Sequence, residues 1–412
     1  MNTQNHKINI VGAGVSGLVA AIVLEQHGYH PTIIEATDTV GGRVKTDVVA
    51  GYRLDHGFQV LLTAYPAVKT YLDLKALDLQ YFLPGATIFK PAKQHTIGDP
   101  LRSLALLIPT LKANIGSFKD KLNILKLNKT LKNKSLEAIF KTEETTTLNY
   151  LKNLGFTPAI IEDFFRPFFS GIFLENKLDT SSRMFEFIYK MFGEGYATLP
   201  KEGIGAIPQQ LKAKLKQTKF MFNSKAIAIS NNNITLEDNT VLNNDFTIVA
   251  TDAAALISNL KEQPNSWQSC KTLYFETETP VINTQLIGLI PHKNSIINNL
   301  YYHTNTKNKN LLSVTLVKPI SLNQEALIER VKTDLATYCN ISTLRFIKQY
   351  SIPKALPKLN NLTYELSPSE TQLTPSIFLA GDTLLNGSLN AAMIAGERAA
   401  LGVIEAITNT KT

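Results

Sequence analysis

The chain has 412 residues, 44% hydrophobic and 18% charged, with two cysteines and a net charge of +8. That length predicts two or three domains around a large core, and the composition excludes long disorder and a coiled coil. Cys270 and Cys339 alone cannot build a disulfide framework or a thiolate zinc centre, so no metal site is expected. No apolar run reaches the ~18 residues that span a bilayer. The first residues lack the apolar core of a signal peptide, which predicts a cytoplasmic location. Residues 101–134 carry eight cations and one anion, so they hold nearly all of the net charge. No nucleic-acid-binding motif accompanies them, and no nucleic-acid partner is expected.

In chain order, Lys7 to Val11 reads as a short buried strand. Gly12-Ala13-Gly14-Val15-Ser16-Gly17 follows, then a helix from Leu18 to Gln26 with Gly28 suited to its C-terminal cap. Tyr29 to Ile34 reads as a second strand that ends at Glu35. This is the dinucleotide fingerprint in its full context. Gly12 permits the tight turn, Gly14 lets a pyrophosphate approach the backbone, and Gly17 allows close helix–strand packing. The helix N-terminus presents free N–H groups to the phosphates, and Glu35 can accept from ribose hydroxyls. The fingerprint leaves NAD and FAD open.

Further along, Leu104, Ile108, Leu111, Ile115, Phe118, Leu122 and Leu125 recur at helical spacing, interrupted by Pro109 and Gly116. Two or three short helices are predicted. Their apolar stripe fits either a core-packing face or peripheral contact with the inner face of a membrane, beneath a basic flank. Phe164-Phe165-Arg166-Pro167-Phe168-Phe169-Ser170-Gly171-Ile172-Phe173 is the densest aromatic cluster. Its phenylalanines, Phe168 and Phe169 among them, fit an apolar substrate wall or a plain core, and Arg166 fits a substrate anchor or an internal ion pair. Lys225 to Leu242 reads as hairpin strands, and Asp245 to Ala250 as a further buried strand. Ser376 to Asp382 is an apolar strand ending in Gly-Asp. Gly387 to Ala400 is a helix of small residues.

Three segments carry a resemblance. Glu35-Ala36-Thr37-Asp38-Thr39-Val40-Gly41-Gly42-Arg43 resembles the E-A-x-x-x-x-G-G-R segment of the flavin-containing amine oxidase superfamily. That superfamily also holds phytoene desaturases, carotenoid isomerases and protoporphyrinogen oxidases. Leu54-Asp55-His56-Gly57-Phe58-Gln59 resembles its D-x-G segment, and residues 376–400 resemble its second FAD fingerprint. The resemblance implies an α/β protein: a Rossmann-like FAD-binding domain with a discontinuous α+β substrate-binding domain. The expected FAD-binding parts are 1–90, 195–261 and 345–412; the substrate-binding parts are 91–194 and 262–344. It further implies that Gly12, Gly14, Ser16, Gly17, Glu35, Ala36, Gly42, Arg43, Gly57, Phe58, Ala226, Gly381, Asp382, Ser388, Leu389 and Asn390 meet FAD. Neither Cys nor His occurs in 370–400, so the flavin is expected to be noncovalent.

Flavin chemistry asks little of side chains, because the cofactor takes the hydride. His56 and Tyr350 are the candidates for an acid or base. The favoured reading is a desaturase or dehydrogenase of a bulky hydrophobic molecule, carotenoid-like or porphyrinogen-like. The alternatives are an amine oxidase that releases peroxide, with a lysine such as Lys271 near the flavin, and a non-redox FAD-dependent isomerase.

Overall fold

The computed structural model describes residues 6–90, 93–263, 265–303, 310–342 and 344–409. Its first sheet has six strands in the spatial order Lys219–Met221, Thr32–Ile34, Ile8–Val11, Phe246–Val249, Ile377–Leu379 and Gln372–Thr374. All pairings are parallel except the last. Ile8, Ile10, Ile33, Ile248 and Phe378 are buried, as expected for strands covered on both faces. Helix Val15–Gln26 packs against the C-terminal helix Leu389–Asn409. A Cβ on Gly396 would lie 2.2 Å from the Ser16 carbonyl oxygen, so only glycine permits that approach. An antiparallel meander, Ala226–Ile229, Asn233–Leu236 and Val241–Asn243, precedes strand Phe246–Val249.

The second sheet has seven strands, ordered Leu344–Lys358, Ser266–Thr277, Asn310–Leu316, Asn299–His303, Ile287–Leu289, Gly85–Lys90 and Lys93–Gly98. Leu273, Phe275, Leu300, Leu312, Val314 and Leu316 cluster with Leu327, Val331 and Leu335 of helix Gln324–Cys339, which covers one face. A helical layer completes the molecule. It contains Leu107–Lys112, Phe118–Asn133, Leu136–Lys141, Thr147–Asn153, Arg166–Phe173 and Ser182–Glu194. Ser117 and Asp120 form a capping box at the start of Phe118–Asn133.

The α/β class and the parallel cofactor sheet agree with the sequence reading. Two strands of the expected FAD-binding parts pair outside the first sheet. Gly85–Lys90 pairs with Ile287–Leu289 and Lys93–Gly98, and Leu344–Lys358 pairs with Ser266–Thr277. Both had been assigned to the FAD-binding parts, yet their hydrogen-bond partners place them in the second sheet. The first helix starts at Val15 rather than Leu18, and the second strand covers only Thr32–Ile34. Residues 1–5 and 410–412 of the expected domain lie outside the described residues.

Candidate active site

Strand Ile8–Val11 delivers the chain to the N-terminus of helix Val15–Gln26. Gly14 is the N-cap; no side chain caps this end and no acid sits in the first turn. Its N–H groups and partial positive charge are therefore available to an anion. A Cβ on Gly14 would meet nothing within 4 Å, whereas one on Gly17 would lie 2.1 Å from the Gly12 carbonyl oxygen. Gly14 thus borders open space and Gly17 serves packing. Glu35 accepts from the Ala13 N–H at 2.8 Å and from the Thr37 N–H and hydroxyl at 2.9 Å. Its carboxylate is fixed at the rim of the turn.

Gly14 and Gly41 form a bridge that carries Gly42 and Arg43 to the same place. The Arg43 guanidinium pairs with Asp382, from the other end of the chain, and lies 5.2 Å from the Trp267 ring centre. Lys354 pairs with Asp252 at 2.6 Å and lies 5.9 Å from the same indole. Ser16 Oγ, Trp267 Nε1 and Asp252 Oδ1 are buried without partners. Buried polar groups are normally bonded. An open phosphate-sized space at a helix N-terminus, a fixed ribose acceptor and orphaned polar atoms together fit a dinucleotide.

One cavity of about 1600 Å³ contains this cradle. Gly12, Gly14, Ser16, Glu35, Gly42, Arg43, Gly57, Phe58, Gly381, Asp382, Ser388 and Leu389 all line it. Gly17, Ala36, Ala226 and Asn390 do not. Ala226 lies in the meander. The Asn390 side chain is turned to the Ala67 N–H, from which it accepts at 3.0 Å. Ser388 Oγ accepts from the Ala391 N–H at 3.0 Å and so caps the last helix.

His56 lines the cavity, and Tyr350 sits behind it. Their ring centres are 4.4 Å apart, and both side chains converge on Asp47 Oδ2, His56 Nε2 at 2.8 Å and the Tyr350 hydroxyl at 3.0 Å. Burial opposes ionisation of Asp47, but the bonds from His56 and Tyr350 outweigh it and hold the carboxyl below its ordinary range. Burial and the Asp47 charge push the Tyr350 phenol up, so it stays a donor at neutral pH. Asp55 staples the floor. Its Oδ1 accepts from the Thr46 hydroxyl at 2.5 Å and the Ile204 N–H at 3.0 Å, while its carbonyl accepts from the Tyr274 hydroxyl at 2.8 Å. Burial pushes its carboxyl up to about 6.

Beyond the cradle, Phe164, Phe168, Phe169 and Phe173 line the cavity. Arg166 does not. Its guanidinium bonds both Glu162 carboxylate oxygens at 2.8 Å and the Asn176 carbonyl at 2.9 Å, one helical turn and one loop away. The anchor reading of Arg166 therefore gives way to the ion pair. Lys271 points to the opposite side of its strand and donates to the Ile320 carbonyl at 3.3 Å. Cys270 lines the cavity instead, its thiol pushed up by burial to about 11.

Leu107, Leu111, Phe118, Leu122 and Leu125 also line the cavity. Here the core-packing reading of the stripe fails. Leu104 is 82% exposed, Phe118 75%, Leu111 64% and Ile108 62%; of the seven stripe residues only Ile115 is buried. No helix among the described residues is long and apolar enough to cross a membrane, and no group of three metal-ligating side chains occurs among them.

Comparison with known proteins agrees with this geometry. The family described as flavin-containing amine oxidoreductase matches residues 15–404. The chain belongs to that family, and FAD is its cofactor. A protoporphyrinogen oxidase of Nicotiana tabacum is 26% identical over 165 residues, 40% of this chain and 32% of that protein. An L-amino-acid oxidase of Sistrurus catenatus edwardsii is 41% identical over 81 residues, 19% of this chain and 16% of that protein. These matches span less than a third of either relative's length. An oxidoreductase of Methanosarcina mazei has the same fold, with a TM-score of 0.73, 17% identity, and coverage of 97% of this chain and 100% of that one.

Sequence reasoning missed Asp47, Trp267 and the Lys354–Asp252 pair. Trp267 is the sole tryptophan of the chain, which was the one available signal.

Proposed function

We propose that this protein is a desaturase or dehydrogenase of a bulky apolar molecule that it takes from a membrane surface. The observation that carries the reading is the single cavity. At about 1600 Å³ it exceeds the ~300–1000 Å³ of a site for one small ligand, so it has room for cofactor and substrate together. Its lining includes the cradle, the phenylalanine wall and residues of the exposed leucine patch. FAD, when bound, supplies a hydride acceptor. The chain's own residues orient the substrate along Phe164, Phe168 and Phe169 and exclude water from it.

The patch at the mouth supports the membrane source. Lys112, Lys119, Lys126 and Lys129 lie on the same helices as the exposed leucines, and all four are exposed. An apolar face flanked by lysines suits an anionic lipid surface, where each lysine adds ~1 kcal/mol. The lysine considered for the amine oxidase reading, Lys271, lies away from the cavity, whereas Lys354 lines it.

The test is anaerobic mixing of the holoenzyme with apolar polyenes, tetrapyrroles or amines while flavin absorbance is followed. Bleaching by an apolar compound is expected. Bleaching by amines, followed by peroxide release in air, would replace the reading with the amine oxidase one. A substrate converted without bleaching would replace it with the isomerase one.

A further inference from the structure

The seven-stranded sheet has two dissimilar buried faces. One carries the leucines and phenylalanines packed on helix Gln324–Cys339. The other turns toward the cavity, and its centre is polar. Strand register sets Tyr350, Thr272, Thr315 and Asn299 side by side across four strands. They are 8%, 0%, 3% and 1% exposed. The same face continues into Leu289 and Ile88, which cluster with Phe164 and Phe168. A polar row thus interrupts an apolar wall, at a cost unless it is bonded.

The row is only partly bonded. The Tyr350 hydroxyl donates to Asp47. Asn299 Oδ1 accepts from Asn298 Nδ2 at 3.0 Å, and a Cβ on Gly171 would come within 3.0 Å of that oxygen. That side of the amide is closed, which leaves Nδ2 as the free donor. The Thr272 hydroxyl is buried without a partner. Thr315 and Asn299 line the cavity itself. On the helical side, the cations Arg102 and Lys121 are already bonded to the carbonyls of Phe192, Gly195 and Thr110.

We propose that Asn299 and Thr315, backed by Thr272, form a subsite for a neutral oxygen of the substrate, a hydroxyl or carbonyl. This rests on the apolar-substrate reading above and narrows it. The substrate is an oxygenated apolar molecule rather than a plain hydrocarbon. An amide N–H and two hydroxyls suit an oxygen acceptor, and with the neighbouring cations bonded elsewhere the row suits an uncharged group. A hydrocarbon would leave these groups unpaired, which penalises it in binding.

The experiment titrates the FAD-loaded enzyme with two probes of one carbon skeleton, all-trans-retinol and its deoxygenated hydrocarbon, axerophtene, in the same detergent. Binding is read from the shift in flavin absorbance. The wild type is expected to prefer retinol at least tenfold. Asn299→Leu and the near-isosteric Thr315→Val are each expected to reduce that preference while FAD content and axerophtene affinity stay unchanged. Equal wild-type affinities, or a preference that survives in both variants, would overturn the subsite while leaving the apolar-substrate reading intact. If neither probe shifts the flavin spectrum, the apolar-substrate reading fails and the subsite falls with it.

Discussion

Gly14 and Gly17 stand three residues apart in one turn, and the structure assigns them separable duties. Gly14 has φ −71° and ψ 175°, a conformation open to any residue, and a Cβ there meets nothing within 4 Å. Gly14→Val is therefore expected to leave the apoprotein's stability within ~0.5 kcal/mol of wild type. Its branched side chain enters the space that the pyrophosphate needs. Losing two charge-assisted hydrogen bonds at ~1.5–3 kcal/mol each weakens FAD binding more than ~100-fold. Gly17→Ala behaves differently. Its Cβ would lie 2.1 Å from a backbone oxygen, with Ile10 and Ala250 atoms at 3.2 and 3.3 Å. The helix has to shift by more than ~1 Å, at a cost of ~1–3 kcal/mol. Both apoproteins are to be compared by thermal unfolding, and FAD content by absorbance after gel filtration. Gly14→Val should unfold as wild type and elute colourless. Gly17→Ala should unfold several degrees lower before any cofactor is added. A Gly14→Val protein that retains full flavin, or a Gly17→Ala apoprotein as stable as wild type, would refute the reasoning.

The double variant Leu104→Ser, Phe118→Ser removes two of the most exposed apolar side chains of the patch. At ~1.5–3 kcal/mol for each side chain buried in lipid, vesicle binding should fall ~100-fold or more. Sedimentation with phosphatidylglycerol vesicles measures it, and undiminished binding excludes that surface as the contact. For Asp55, the folded carboxyl is raised to about 6 from 3.8, so the stability it allows is present below the unfolded value and lost as pH rises through 6. Asp55→Asn should gain on wild type by up to ~3 kcal/mol between pH 4 and 6.5, seen as a growing difference in Tm. A difference that is flat with pH would show that the Asp55 carboxyl is not raised by folding, and would refute the assignment. Arg166→Ala should lower Tm through loss of the Glu162 and Asn176 bonds while substrate-induced bleaching keeps its apparent affinity; a selective rise in the half-saturating concentration would restore the anchor role.

Local sequence determined the cofactor half of this protein. The turn at Gly12 to Gly17, the acid at Glu35 and the small-residue helix after Asp382 each need particular residue types at fixed spacing, because backbone segments approach closely there. Such demands show in the chain itself. The helical spacing from Leu104 to Leu125 was equally plain, yet spacing only says that one face is apolar. Whether that face meets core or solvent depends on what packs against it, and among the described residues only Ile115 of the seven is packed into a core. Arg166 lay in an aromatic cluster, but helical geometry placed Glu162 one turn away and took its guanidinium. Tertiary structure alone decided the second sheet, because Gly85–Lys90 pairs with Ile287–Leu289 and Leu344–Lys358 with Ser266–Thr277, partners that lie far away along the chain. It alone brought Tyr350 to Asp47 and His56, and Thr272 to Thr315 and Asn299. A local hairpin sets Asp47 beside His56, but Tyr350 and the Thr272, Thr315 and Asn299 row are aligned by long-range register, which no local pattern encodes.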